Sequence, residues 1–305
     1  MKGKENPLEI HPAQACDNIA RFIEDQKKRL NRDGVVIGLS GGLDSAVVAY
    51  LTFKGVEKGN IHLLYLPDRD SKKRHRKDAQ IIADSLSVPL QIQEISPVLD
   101  QVGVYKLLPL RFLPGQLLQD RLVQFGKRAL GLKQENLLAE RLSPRADSLL
   151  AKGNAYINIK HRLRMILLYH YANLHNLMVL GAANRTELLT GTFTQWGCDQ
   201  CADVMPILHL YRSQVEVLAE YLEIPEGIRN KPADPDVIPG VDDKAALLGS
   251  FYTVDHILWG LEHSVPIDEL NHKFGELEVT RIIRLVESSR FMRESPVTFE
   301  IIKPI

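Results

Sequence analysis

Between residues 12 and 30, Ile19, Ala20, Phe22, Ile23 and Leu30 recur among charged positions at the three- and four-residue spacing of an amphipathic helix, and Asp33-Gly34 supplies a turn after it. The next run, Val35-Val36-Ile37-Gly38-Leu39, is short, apolar and β-branched, as a buried strand requires. It leads through Ser40-Gly41-Gly42 into a helical pattern over 44–58. A second strand over 61–66, a helix over 77–87, a third strand over 90–95, a long helix over 157–175 and a fourth strand over 177–182 continue the alternation. Strand, crossover helix, strand predicts an α/β fold: a doubly wound, mostly parallel sheet of Rossmann type with helices on both faces.

Two stretches break the rhythm. Residues 97–152 are leucine-rich, with prolines at 97, 109, 114 and 144, and predict an inserted helical cap, plain core packing being the simpler alternative. Residues 231–243, Lys-Pro-Ala-Asp-Pro-Asp-Val-Ile-Pro-Gly-Val-Asp-Asp, carry too much proline for regular structure, and a loop of that length in a compact domain is often functional. Helices resume over about 244–289. The expected organisation is one α/β domain over 1–265 that includes the insertion, followed by a helical C-terminal extension over 266–305.

Composition narrows the class. The 305 residues are 45% hydrophobic and 25% charged, as in a soluble globular chain, and 38 basic against 38 acidic residues argue against a protein built to embrace DNA or tRNA. No apolar run approaches the ~18 residues of a membrane span, and the first thirty residues hold no secretory core. Three cysteines, Cys16, Cys198 and Cys201, imply no disulfide framework, so a cytoplasmic location is expected.

The candidate chemistry sits where the first strand turns into its helix. Residues 38–45 read Gly38, Leu39, Ser40, Gly41, Gly42, Leu43, Asp44, Ser45. Small residues let backbone N–H groups close on an oxyanion, the helix N-terminus adds partial positive charge, and two hydroxyls can donate. The Walker pattern needs a lysine next to the last hydroxyl residue; Asp44 stands there instead, and an aspartate beside phosphates implies a magnesium ion between them.

Ser-Gly-Gly-x-Asp-Ser at a strand-to-helix junction resembles the ATP loop of the N-type ATP pyrophosphatases, which cleave ATP between the α and β phosphates. Further stretches narrow the resemblance: Asn-Ile-Lys-His-Arg-Leu-Arg at 158–164, Gly-Ala-Ala-Asn-Arg-Thr-Glu opening 181–197, Ala202-Asp203-Val204-Met205-Pro206, Leu210-Tyr211-Arg212-Ser213-Gln214-Val215 and Lys231-Pro232. Together they look like the ammonia-dependent NAD synthetases over about residues 12–263. The resemblance implies that residues 38–45 and Arg212 bind ATP, that Asp44 and Glu187 hold Mg2+, and that Arg162 and Asp203 touch deamido-NAD. Asp44, Glu187 and Arg212 are the implied catalytic set. The implied reaction joins AMP to the carboxylate of deamido-NAD and displaces it with ammonia, in a homodimer. With about thirty residues before the first strand, ammonia is expected free or from a separate glutaminase.

Several positions depart from that family's pattern. Ala182 stands for a Thr that contacts ATP, Gln195 for a Lys on the substrate, Arg212 for a Lys on the ATP phosphates and Ala233 for a Thr. Ser289-Arg290-Phe291-Met292-Arg293 stands where the family has a His-Lys pair on the dinucleotide, and Arg290, Arg293 or residues 72–77 are the cations that would compensate. ATP use is thus better marked than the acceptor. The alternatives keep the adenylating loop but send AMP to another carboxylate or to a tRNA base for sulfur transfer, or keep only nucleotide binding. Cys198-Asp199-Gln200-Cys201 is short of the roughly four ligands of a zinc or cluster site, so idle thiols are expected. The basic run 71–77 reads as a solvated helix start.

Overall fold

The computed structural model describes residues 6–107, 142, 144–197, 201–231, 248–294 and 296. Most of the expected insertion, Cys198, Ala233 and residues 232–243 of the proline-rich loop lie outside the described residues.

α1 (Pro12–Arg29) precedes β1 (Gly34–Gly38), α2 (Leu43–Gly55), β2 (Ile61–Tyr65), α3 (Lys73–Leu86), β3 (Leu90–Ile92) and α4 (Ser96–Gln101). The long α5 (Leu149–Leu174) leads into β4 (Leu177–Leu180) and the short α6 (Arg185–Thr190). After them come α7 (Arg212–Tyr221), α8 (Glu226–Arg229), α9 (Phe251–Glu262), α10 (Ile267–Phe274) and α11 (Glu276–Ser288).

The strands lie in the order β3-β2-β1-β4, every pairing parallel, with Val35 opposite both Ile61 and Met178. Their near-continuous apolar sequences follow from burial on both sides. Val35, Ile37, Leu63, Met178 and Leu180 join one cluster with α1, α2, α3 and α7, whereas Val36, Leu64, Leu177 and Val179 join a second with α4 and α5. Period-two alternation thus sorts each strand between two helical layers. A third cluster, containing Leu189, Tyr211, Val254, Ile257, Leu258, Leu270, Val279, Ile282 and Leu285, packs α6, α7, α9, α10 and α11 together beyond the end of β4.

Some boundaries differ from the expected ones, for local reasons. α2 stops at Gly55 rather than at 58, because Val56 turns extended (φ −111°, ψ 139°) and buries its side chain. α3 begins four residues early at Lys73, its first turn drawn in by the buried His75, while Lys73, Arg74, Arg76 and Lys77 stay exposed. α5 begins at Leu149 rather than 157 because Ser148 caps it, its hydroxyl accepting from the Ala151 N–H at 3.1 Å. At the start of the expected cap, Leu99, Val104 and Tyr105 are core residues under the second face of the sheet.

Chain order creates the functional crevice. The chain runs outward from β1 to β2 and β3, then returns to place β4 on the other side of β1. In open parallel sheets, ligands bind beyond the C-terminal strand ends at such a reversal. Here that point lies between the segment leaving β1, residues 39–42, and the segment leaving β4, residues 181–184.

Candidate active site

The loop after β1 is tied into a small ring. Ser40 Oγ and Ser45 Oγ lie 3.0 Å apart, the Ser40 N–H donates to Ser45 Oγ at 3.3 Å, the Gly42 N–H donates to Ser40 Oγ at 3.2 Å, and Ser45 Oγ donates to the Gly42 carbonyl at 3.0 Å. Gly41 turns the chain at φ +77°, and a Cβ there would lie 2.4 Å from the His75 carbonyl oxygen. A side chain is therefore excluded by conformation and by space. The bend is pressed against the opening turns of α3, and the first N–H groups of α2, as at any helix start, have no carbonyl partner inside the helix.

Asp44, in the first turn of α2, meets the segment from β4. Asn184 Nδ2 donates to Asp44 Oδ1 at 2.8 Å, and Arg212 Nη1 donates to Asp44 Oδ2 at 2.7 Å. Asn184 also caps α6. Its Oδ1 accepts from the Glu187 N–H at 3.0 Å, while Glu187 Oε2 accepts from the Asn184 N–H at 3.4 Å. One asparagine, through its side-chain amide and its backbone N–H, thus brings together two carboxylates that are 143 residues apart in sequence: Asp44 on the phosphate loop and Glu187 on α6.

Arg212 is 7% exposed, and its Nε also binds Glu216 Oε1 at 3.1 Å, so the guanidinium spans two carboxylates. Burial disfavours its charge, but Asp44 and Glu216 outweigh burial and raise its pKa further. Its backbone is fixed as well. The Arg212 N–H donates to Thr186 Oγ1 at 2.9 Å, Thr186 Oγ1 donates to Asp255 Oδ1 at 2.6 Å, and Asp255 Oδ2 accepts from the Ser213 N–H at 2.8 Å. Asp255 is fully buried, and desolvation raises its pKa despite those hydrogen bonds. A cleft lined by Asn184, Thr186, Glu187, Thr192, Arg212, Leu248 and Phe251 opens beside these groups.

The expected substrate positions fall into two places. Arg162 on α5 donates through Nε and Nη2 to the Gln195 carbonyl at 3.2 and 3.1 Å, and Gln195 Nε2 donates to the Phe291 carbonyl at 3.4 Å. Three positions that the resemblance placed on the dinucleotide therefore converge, although two of them lack the cationic side chains. Asp203 stands apart. Its Oδ2 accepts from the Val179 N–H at 2.8 Å and its Oδ1 from the Tyr169 hydroxyl at 3.0 Å, so it also completes the outer edge of β4. Arg293 is bound to backbone: its guanidinium donates to the carbonyls of Leu188, Leu189 and Val286 and to Ser289 Oγ. It closes the C-terminal end of α6, where Gly191 (φ +69°) packs against Ser289. Arg290 pairs with Glu294 at 3.1 Å on the surface.

Sequence reasoning assigned no role to two groups that the structure makes prominent. Lys160 is fully buried, with Nζ 2.6 Å from both Asp68 Oδ2 and Asp70 Oδ2 and 4.2 Å from the Tyr156 ring centroid. This cluster fastens α5 to the turn after β2. Lys231 bonds the Gly41 carbonyl at 2.6 Å and Asp78 Oδ2 at 2.7 Å. A lysine in the middle of an apolar helical pattern was the available signal for Lys160, and Asn184-x-x-Glu187 was the signal for the capping asparagine.

A family model described as NAD synthase matches residues 15–106 and 134–296, further toward the C-terminus than the residue motifs reached. The NH(3)-dependent NAD(+) synthetase of Thermotoga maritima is 38% identical over 286 residues, covering 93% of this chain and 99% of that protein. That of Methanocaldococcus jannaschii is 29% identical over 290 residues, covering 94% and 97%. Among solved structures, an NH3-dependent NAD synthetase from Campylobacter jejuni in complex with nitrate superposes with a TM-score of 0.69 at 25% identity, covering 96% of this chain and all of that one.

Proposed function

Because the chain belongs to the NAD synthase family, we propose that its crevice carries out the ATP-dependent amidation of deamido-NAD by ammonia, with release of AMP and pyrophosphate. The observation that carries the reading is the junction at Asn184, whose side-chain amide holds Asp44 of the phosphate loop while its backbone N–H holds the carboxylate of Glu187 on α6. A carboxylate oxygen is a poor leaving group; joined to AMP it becomes a good one, and a loop that retains pyrophosphate favours that transfer.

The roles follow from the contacts. The ring of Ser40, Gly42 and Ser45, with the N-terminus of α2, cradles the phosphates. Arg212 lies at the mouth of the cradle on Asp44 and adds positive charge toward departing pyrophosphate. Arginine serves here through a fork bound to two carboxylates, a geometry that lysine does not reproduce. Arg162 and Asp203 face the acceptor in this reading, Arg162 beside Gln195 and Phe291.

Mg2+ fits the donor set. It is bound in phosphoryl-transfer sites by one or two carboxylates plus phosphate oxygens, and Asp44 and Glu187 supply two carboxylates from adjacent strand ends with lone pairs beyond those already used. When bound, the ion would neutralise charge on the triphosphate.

A homodimer is supported by α5. Ala155, Ile159, Arg162, Ile166 and His170 follow one another at helical spacing, Ile159 partly buried against the second core cluster, with Ile166 63% and the nearby Leu174 67% exposed. A predominantly apolar stripe on a long helix is well suited to a second copy. A cytoplasmic setting is supported by the free thiols of Cys16 and Cys201, and ammonia is taken free or from a separate glutaminase. Among the described residues no helix is long and apolar enough to cross a membrane.

The deciding experiment measures AMP release from ATP, Mg2+ and ammonium across a panel of carboxylate acceptors, with the products identified. NAD formed from deamido-NAD, one AMP per turnover, supports the reading; AMP release only with a different acceptor overturns it.

A further inference from the structure

We propose that Lys231 and Asp78 are positioning residues of the phosphate loop, clamping the Gly41–Gly42 peptide so that its N–H faces into the anion cradle. The proposal rests on the reading of residues 38–45 as the ATP loop. Lys231 Nζ donates to the Gly41 carbonyl at 2.6 Å and to Asp78 Oδ2 at 2.7 Å, and the two side chains are 11% and 18% exposed. Neither residue belongs to the ring that forms the cradle. They grip it from α3 and from the second residue beyond α8.

The consequence follows from peptide geometry. In a planar trans peptide the carbonyl oxygen and the next N–H point in opposite directions. The chain has no cis bonds among the described residues, so drawing the Gly41 oxygen outward onto Lys231 turns the Gly42 N–H inward, where it meets Ser40 Oγ at 3.2 Å. This peptide especially needs holding. It is flanked by glycine on both sides, so rotation of the plane meets little steric resistance. A flipped plane would present a carbonyl oxygen to phosphate, exchanging an attractive dipole for a repulsive one. Glycines let the backbone close on the anion, and the clamp removes the freedom that they bring. Asp78 keeps the ammonium at the carbonyl; without that partner, the ammonium would be free to bind phosphate directly.

The last point separates positioning from direct ligation. If Lys231 positions the loop, Asp78→Asn weakens ATP binding as Lys231→Met does, and the double variant is little worse than either single one. If Lys231 is itself a phosphate ligand, Asp78→Asn removes a competitor and leaves ATP binding unchanged or tighter.

The test uses the full-length protein with Mg2+, calorimetric Kd values for ATP and deamido-NAD, and steady-state KM and kcat, after thermal melts establish folding. Lys231→Met and Asp78→Asn should each raise the ATP Kd about tenfold or more, the loss of one oriented donor to a charged group, with the deamido-NAD Kd within about twofold of the parent. Lys231→Arg should recover part of the loss. Gly42→Val serves as the loop control: a Cβ at Gly42 meets only Ser40 Oγ, at 3.2 Å, a close contact with a member of the ring, so the substitution disturbs the loop itself, and the thermal melt establishes that the variant folds. If Gly42→Val destroys ATP binding while folded Lys231→Met binds ATP like the parent, or Asp78→Asn binds it as tightly as the parent or more tightly, the clamp is wrong and the loop reading stands. If Gly42→Val also binds ATP normally, the loop reading fails and the clamp falls with it.

Discussion

Replacing Lys160 with methionine tests what fastens α5, the helix that carries Arg162, to the sheet. Methionine fills most of the lysine's stem volume but leaves the carboxylates of Asp68 and Asp70 without the ammonium that lies 2.6 Å from each. The Asp68 side chain is completely buried, and its remaining cation, Arg164, is 3.6 Å away. Removing one partner from a buried ion pair costs about 3–5 kcal/mol, chiefly because the other charge is stranded. At about 2–4 °C per kcal/mol for a chain of this size, Tm should fall by roughly 6–20 °C at pH 7, measured by calorimetry or far-UV circular dichroism. The pH dependence sharpens the test. Burial opposes ionisation of Asp68, but Lys160 and Arg164 outweigh it and hold the carboxyl below its ordinary value. A depressed carboxyl stabilises the fold above the unfolded-state pKa of about 4, and that contribution is lost as the pH falls through the lower folded value. In Lys160→Met the stranded carboxyl should instead take up a proton readily, so the Tm gap to the parent should narrow between pH 7 and pH 4. A Tm within 2 °C of the parent at pH 7, beyond calorimetric error but far below the ~6 °C expected, or a gap that widens on acidification, would refute the assignment of the buried pair as the fastening of α5.

Other outcomes follow from the site. Asp44→Asn and Glu187→Gln should each lower AMP release by about 100-fold or more through lost stabilisation of departing pyrophosphate; near-normal turnover in both removes them from the mechanism. Gln195→Lys restores a cation beside Arg162 and Phe291 and should lower KM for deamido-NAD while KM for ATP stays nearly constant; an unchanged KM for deamido-NAD would take Gln195 off the acceptor surface. Ile166→Glu places charge on the apolar stripe of α5 and should convert the proposed dimer to monomer in sedimentation velocity, whereas an unaltered sedimentation coefficient would exclude that face as the interface.

What the sequence determined by itself was local in origin. Runs such as Val35–Leu39 and Leu177–Leu180 are buried on both faces, so their apolar character was visible without knowledge of the neighbours, and the glycine turn after β1 was legible as a tight bend opening a helix, the local arrangement that an anion cradle requires. Asp44, Glu187 and Arg212 could be named from motif positions. Their relation could not, because Asn184 and Thr186 join them through hydrogen bonds across 140 and 26 residues. The start of α5 was obscured because a leucine-rich segment has no clear periodicity, and the Ser148 cap only acts once the helix has a direction. The fully buried Lys160 had no role assigned from sequence, since the carboxylates that make its burial tolerable come from the turn after another strand. Arg293 read as a spare cation for the substrate, and the fold uses it to satisfy the last carbonyls of α6, whose end it reaches only through packing of α11. Local sequence sets the strands, the helices and the chemistry of a loop. Which charge meets which depends on long-range packing, because the cost of burying an ion is met by partners that only the closed tertiary structure brings within reach.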